Sequence, residues 1–405
     1  MAVGMKAIPP LGVISGVRVG TLAAGIRKAD RRDLVIMECA PGTTAAAVFT
    51  QSHFAAAPVR VARAHLAQTS PRALIINTGY ANAATGEVGL ADARACCEAV
   101  ARDMGCAPEE VLPFSTGVIG ERLPVQTILA AIPKVRAQAQ ADGWLDAAYG
   151  IMTTDTVPKA ARMEVVLGAR RAALVGIAKG SGMIHPNMAT MLSFIASDVA
   201  ASKEVLQEAL SRAVRTTFNA ISVDGDTSTN DAVVLLATGH SEFRIEGVDT
   251  PEFAQFLAAL EGLCADLAFA IVRDGEGATK FVRIEVSGGR TDEEAALVAN
   301  TIGQSPLVKT ALFAGDPNWG RILMAVGRAP IDLADPNRVV VCLNGTRVFK
   351  EGMVDPEYRE EVGQKALAST EITIGVDLGQ GPGTAILHTC DLSYDYVRIN
   401  GSYRT

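Results

Sequence analysis

Two hydrophobic periods alternate along this chain: short apolar runs between glycine turns predict strands, and apolar positions three and four apart predict amphipathic helices. Residues 163–177 read as a hairpin, with MEVVLG and AALVGI on either side of a turn over 168–171. Residues 192–199 form a second buried strand. From 203 to 218, Val205, Leu206, Ala209, Leu210, Ala213 and Val214 repeat at helical spacing. A longer helix starts with Thr250 as N-cap and Pro251 at its first position, carries Phe253, Phe256, Leu257, Leu260, Cys264, Leu267 and Ile271 on its core face, and ends near Gly275. Glu276 then falls in the turn that follows.

Beyond it, Val282, Ile284 and Val286 alternate with Phe281, Arg283 and Glu285 at the strand period. Thr291 opens a capping-box helix reaching about Ile302. Strands follow at 339–343, 371–376 and 384–389, with a helix over 356–369 between the first two. The pattern is α/β. With no internal repeat or low-complexity linker, the domain boundary is placed at 275–290, separating about 1–280 from about 281–405.

Composition narrows the class. Of 405 residues, 49% are hydrophobic and 20% charged, the usage of a folded globular chain. A formal net charge of -7, without a basic block, argues against nucleic acid as a partner. No apolar run is expected to reach the roughly 18 residues that cross a bilayer. Pro9 and Pro10 stand where a signal peptide would place its apolar stretch. Seven scattered cysteines, an odd number, fit a reducing compartment, and the adjacent Cys96 and Cys97 lack the spacing of a zinc site. A cytoplasmic enzyme without membrane attachment is expected.

Residues 176–194, GIAKGSGMIHPNMATMLSF, read as a strand, a glycine-bent loop and a second strand. Lys179-Gly180-Ser181-Gly182 permits close backbone approach, Pro186 stiffens the loop, and Thr190 follows the small Ala189 at the mouth of the next strand. A hydroxyl directed back at its own preceding carbonyl in such a loop is placed for an N→O acyl shift. Hydrolysis of the ester would leave Thr190 as a new N-terminus whose amine has an ordinary pKa of about 7.7–8.0, low enough to take the hydroxyl proton. In an arbitrary sequence the same threonine would more often simply open a strand, as β-branched residues do.

The longer context changes that weighing. KGSGMIHPNMATML at 179–192 resembles the cleavage signature of the ornithine acetyltransferase family, also called bifunctional glutamate/ornithine acetyltransferases. NTGYANA at 77–83, STGVIG at 115–120, MTTD at 152–155, SVDGDT at 222–227, GDPNWGR at 315–321 and DLSYDYVRIN at 391–400 resemble further family motifs in the same order. Tyr80 departs from the smaller polar residue usual there.

The resemblance implies a layered αββα sandwich around a self-cleaved threonine, with a smaller C-terminal α/β domain. It implies cleavage between Ala189 and Thr190 into fragments 1–189 and 190–405, which stay associated as a heterotetramer of two α and two β chains. Acetyl would pass from N2-acetylornithine to glutamate by a ping-pong mechanism through acetyl-Thr190. Thr116 and Gly117 correspond to the oxyanion hole, and Thr153, Lys179, Thr190, Glu276, Asn400 and the terminal Thr405 to substrate-binding positions. No cofactor or metal is implied. Some family members also take acetyl-CoA as co-substrate, and no nucleotide signature here decides that point.

Other readings of the same residues are weaker. Counted as a calcium loop, Asp224 onward has Thr229 and Leu235 where glycine and glutamate are required. The glycines at 379–383 lack the context of a phosphate loop and read as a tight turn. His185 reads as a loop residue, since a free amine makes a histidine base unnecessary. The competing reaction class is a self-processing aminopeptidase or amidase, in which water takes the acyl group.

Overall fold

Strands that are apolar on both faces need cover on both sides, and here two sheets stack on each other beneath outer helices. The computed structural model describes residues 2–185 and 191–402. The chain begins with β1 (Val17–Leu22), β2 (Leu34–Cys39), β3 (Thr44–Phe49), α1 (Ala57–Gln68), β4 (Ala73–Tyr80), α2 (Gly86–Met104), β5 (Val111–Val118), α3 (Val125–Ala137) and α4 (Trp144–Gly150). Then come β6 (Lys159–Leu167), β7 (Arg170–Lys179), β8 (Leu192–Ser197), β9 (Ala200–Ala201), α5 (Lys203–Thr216), β10 (Ala232–Ala237), β11 (Arg244–Ile245) and α6 (Pro251–Arg273). The remainder is β12 (Phe281–Gly289), α7 (Asp292–Gly303), α8 (Pro306–Ala314), α9 (Trp319–Gly327), β13 (Val340–Leu343), β14 (Thr346–Lys350), β15 (Met353–Val354), α10 (Glu360–Leu367), β16 (Glu371–Asp377), β17 (Gly383–Cys390) and α11 (Tyr394–Ser402).

One sheet has the order β1-β2-β4-β5 and the other β3-β10-β8-β7-β6. Their facing sides share a core that includes Val35, Leu74, Ile76 and Phe114 from the first and Val175, Ile177, Phe194 and Val234 from the second. Phe114 and Phe194 meet edge to face across it, with ring centroids 5.0 Å apart. Alternate residues point outward. Leu34, Ile36 and Ile75 pack with Cys97, Val100 and Ile132 of α2 and α3, while Leu174, Ile195 and Leu235 pack with Leu206, Phe256 and Leu260 of α5 and α6. The layers are therefore helix, sheet, sheet, helix. A third, six-stranded sheet, β15-β14-β13-β16-β12-β17, packs on α7, α8 and α9 through Val282, Ile284, Val298, Ile302 and Leu312.

Local signals in the sequence set several boundaries. Thr250 Oγ1 accepts from Phe253 N at 3.2 Å, and Pro251 opens α6. Thr291 caps α7 by accepting from Glu294 N at 3.3 Å, but the Glu294 carboxylate turns back to Arg290 N at 3.0 Å instead of closing the box on Thr291.

Three expectations need correction. The β6–β7 hairpin turns through Gly168 and Ala169 alone, because Leu167 already pairs with Arg170. The helix expected over 356–369 is only α10, since Asp355 holds Glu357 N at 2.9 Å and Tyr358 N bonds its carbonyl at 2.9 Å in a turn that delays the helix. And α6, 23 residues long, does reach the length and apolarity of a membrane span. Its apolar face is taken up by β6, β7 and α5.

Candidate active site

The segment 179–192 begins and ends inside one sheet. β7 and β8 run antiparallel with Lys179 opposite Leu192, so the chain leaves the sheet after Lys179 and re-enters at the neighbouring strand's mouth. On the far side of β8, β10 runs parallel with Ala232 beside Leu192, and Ala232 N bonds Met191 O at 2.9 Å. Ala189 and Thr190, and the terminal Thr405, lie outside the described residues. A cleft of about 390 Å³ opens here, lined in part by Thr116, Gly117, Thr153, Lys179, Glu276 and Asn400.

One wall is held by a buried ion cluster. Lys159, 1% exposed, donates from Nζ to Asp155 Oδ1 and to Asp274 Oδ2, both at 2.7 Å. The same two carboxylates reach the cleft backbone. Asp155 accepts from Gly180 N at 2.7 Å and Thr153 N at 2.9 Å, while Asp274 accepts from Thr156 N at 2.9 Å and from the Thr156 hydroxyl. Ser181 continues the chain of bonds: its hydroxyl donates to Asp274 O, and its carbonyl accepts from Glu276 N at 2.8 Å. Burial alone would push the Asp155 carboxyl up, but the Lys159 and Lys179 ammonium groups hold it below the usual carboxylate range. Lys179 is pulled down by burial, against the opposing attraction of Asp155, Asp231 and Glu276.

The opposite wall is a backbone turn. β4 and β5 run parallel until Gly79 pairs with Gly117, where the register shifts at Tyr80. Gly117 has φ +133°, and a Cβ there would sit 2.3 Å from the Gly79 carbonyl carbon, so glycine alone permits this approach. Ser115 donates to Asn77 Oδ1 at 2.6 Å, and Asn230 Nδ2 bonds Ser115 O at 2.9 Å and Ala81 O at 2.6 Å. Thr116 stands 3.4 Å from Lys179 Nζ, which donates to its hydroxyl. Tyr80, the departure from the resemblance, has its ring beneath the Arg27 guanidinium at 5.0 Å, while its backbone pairs with Thr116 at the register shift.

The acidic end is built from three separate elements. Glu276, 7% exposed, follows α6 and accepts from Asn400 Nδ2 of α11 at 2.8 Å. A Cβ on Gly182 would fall 2.4 Å from its carboxylate, so this glycine is what lets the loop pass Glu276. Asp224 accepts from Met183 N at 2.6 Å and Ile184 N at 2.8 Å, holding Met183 at φ +57°. Tyr396 OH donates to Asp224 at 3.4 Å.

The structure thus brings together six residues singled out in the sequence, while His185 lies at the loop with Gln304 Nε2 3.2 Å from its ring. Sequence reasoning gave no role to Asp155, Lys159, Asp274, Asp224, Asn230 or Asp231. A signal existed for the last three: DGDTSTND packs short polar residues directly before the wholly apolar AVVLLA of β10. Among the described residues no group of three His, Cys, Asp or Glu is arranged to hold a metal ion.

Two outcomes follow from the ion cluster. Lys159→Met leaves two buried carboxylates facing each other, and should cost about 3–5 kcal/mol, read as a lower denaturant midpoint; a loss within about 1 kcal/mol would contradict the bridge. Because folding lowers the Asp155 pKa from its usual 3.8, its stabilisation is fully present above about pH 4 and lost as pH falls through the folded value. Asp155→Asn should therefore show a shallower loss of stability below pH 4 than the parent chain, in acid titrations followed by circular dichroism.

Comparison with known proteins identifies the family. The ArgJ family model matches residues 18–405. Over 392 residues the chain is 53% identical to the arginine biosynthesis bifunctional protein ArgJ of Methylococcus capsulatus, covering 97% of this chain and 96% of that one. It is similar to the solved arginine biosynthesis bifunctional protein argJ of Bacillus halodurans, at 41% identity and a TM-score of 0.48, over 51% of this chain and 96% of that chain. It is also similar to the ornithine acetyltransferase of Mycobacterium tuberculosis solved with ornithine, at 34% identity and a TM-score of 0.39, over 44% of this chain and 97% of that chain. With a match running from the first strand to the last residue, this chain belongs to the ArgJ family.

Proposed function

We propose that this chain cleaves itself between Ala189 and Thr190 and then transfers acetyl from N2-acetylornithine to glutamate through an ester on Thr190. The observation that carries the reading is the cleft at the mouth of β8, where a cation, an anion and a glycine turn converge on the residue that follows Thr190. Lys179 offers a point charge to an α-carboxylate. Glu276, held by Asn400, offers an anion to an amino group. Thr116 and Gly117 supply the donors for the oxyanion of a tetrahedral intermediate. The nucleophile needs no histidine, because the amine that cleavage frees has an ordinary pKa of about 7.7–8.0 and takes the hydroxyl proton. The names of the relatives, an arginine biosynthesis protein and an ornithine acetyltransferase, support the choice of substrates.

The fragments stay joined in this reading, since β8 lies between β7 and β10 in one sheet whichever side of the break each belongs to. Two such pairs would make the α2β2 assembly that the sequence resemblance implies. No metal or cofactor enters the reaction as proposed.

Incubation with N2-acetylornithine and glutamate should yield N-acetylglutamate and ornithine in equal amounts, and acetyl-CoA in place of acetylornithine reads the second donor. Acetate without acetylglutamate would mean that water is the acceptor and would overturn the transfer. Thr116→Ala, which removes one donor to the oxyanion, should lower kcat about 100- to 1,000-fold with little change in substrate binding.

A further inference from the structure

Transfer between two amino acids leaves a proton to be lent and recovered, an inference that rests on the reaction just proposed. In the first half the amide C–N bond breaks, the C–O bond to Thr190 forms, and the hydroxyl proton ends on the departing nitrogen. That amine leaves as an ammonium ion, so it takes one further proton. In the second half an ammonium ion arrives and must lose a proton before its nitrogen can attack the ester. Then the C–N bond forms, the C–O bond breaks, and the amine's second proton returns to the threonine oxygen. The two halves balance if the protein lends one proton and takes one back.

A buried carboxyl group stands where such a loan would be made. Asp231 is 3% exposed and lines the cleft with Thr116, Lys179 and Met191. The β8–β10 register sets it beside Met191, the residue that follows Thr190 in the chain. Among the described residues its Oδ2 has no hydrogen-bond partner. Nor is the carboxyl free to wander, because Asp231 O accepts from Thr50 N at 2.9 Å and the neighbouring Asn230 is pinned to Ser115 and Ala81. A buried carboxyl oxygen left without a partner, on a residue that lines a polar cleft and is held by its own backbone, calls for a partner that arrives with the substrate.

We propose that Asp231 is the proton store of the transfer: its Oδ2 gives a proton to the departing amine and takes one from the incoming ammonium. Burial pushes this carboxyl up, and bonding from Ser228 and attraction to Lys179 oppose that rise. Once the proton is lent, the carboxylate faces the Lys179 ammonium. Lys179 is in turn faced by Asp155 and Glu276, and Glu276 already accepts from Asn400. The cleft is one unit more negative between the loan and its return, a charge that the Lys179 ammonium faces and that favours entry of the next ammonium ion.

The test separates proton storage from structure by changing the acceptor. Acetyl-enzyme is formed from N2-acetylornithine, and its deacylation is timed with glutamate and with hydroxylamine, which is uncharged at neutral pH and brings no ammonium proton. Asp231→Asn keeps the shape and removes the store. It should slow deacylation by glutamate at least ~100-fold while leaving deacylation by hydroxylamine within about threefold of the parent. Equal slowing of both nucleophiles, or of neither, would overturn the store alone; a parent chain that forms no acetyl-enzyme would remove the transfer reading with it. If Asp231→Asn fails to fold or cleave, the parent carries the test. Its deacylation by glutamate should stay level between pH 7 and 9, and a rise of about tenfold per unit, tracking glutamate's free amine, would overturn the proposal.

Discussion

The cleft depends on one ammonium group. Lys159 Nζ bridges Asp155 and Asp274 at 2.7 Å each, and those carboxylates hold the backbone of residues 153, 156 and 180. Three elements meet there: the segment that carries Thr153, the end of β7 with Lys179, and the C-terminus of α6 that leads to Glu276. Two carboxylates this deeply buried are tolerable only with a cation between them and donors on their remaining oxygens. The cluster therefore sets the distance between the cleft's own cation and anion, although none of its three members is assigned to substrate.

The opposite wall uses no charge at all. Gly79 and Gly117 bring two parallel strands so close that only backbone fits, and Asn230 ties this turn to the strand beside β8. One wall is thus fixed by ion pairs and the other by glycine geometry and amide hydrogen bonds. Such a division suits acyl transfer, where the oxyanion needs donors held still and the amino acid needs charges at a set spacing. The left-handed Met183, clamped by Asp224, adds a local cost of the kind found at functional sites.

Much of this was legible in the chain. Periods of two and 3.6 found the strands on either side of the loop and the helices at 203 and 251, because burial on one face leaves that trace in any sequence. Thr116, Gly117, Thr153, Lys179, Glu276 and Asn400 were found through motif resemblance; spacing alone would have left Glu276 a surface residue after a helix. Lys159 was invisible, since a lysine after proline reads as solvated and its two partners lie four and 115 residues away. For Asp231 the polar DGDTSTND run ahead of β10 was a local trace, but nothing in that run marks the residue as buried. The shortened α10 shows the same limit, a helical pattern overruled by the Asp355 turn.

The central claim is that the Thr190 hydroxyl becomes an acyl carrier once its own amine is free. Denaturing mass spectrometry of catalytically active protein, taken before and after N2-acetylornithine is added, tests it most directly. Two chains, 1–189 and 190–405, with one acetyl group gained by the second alone, are the result expected. A single unbroken chain at full activity, or acetyl found on the first fragment, would contradict it.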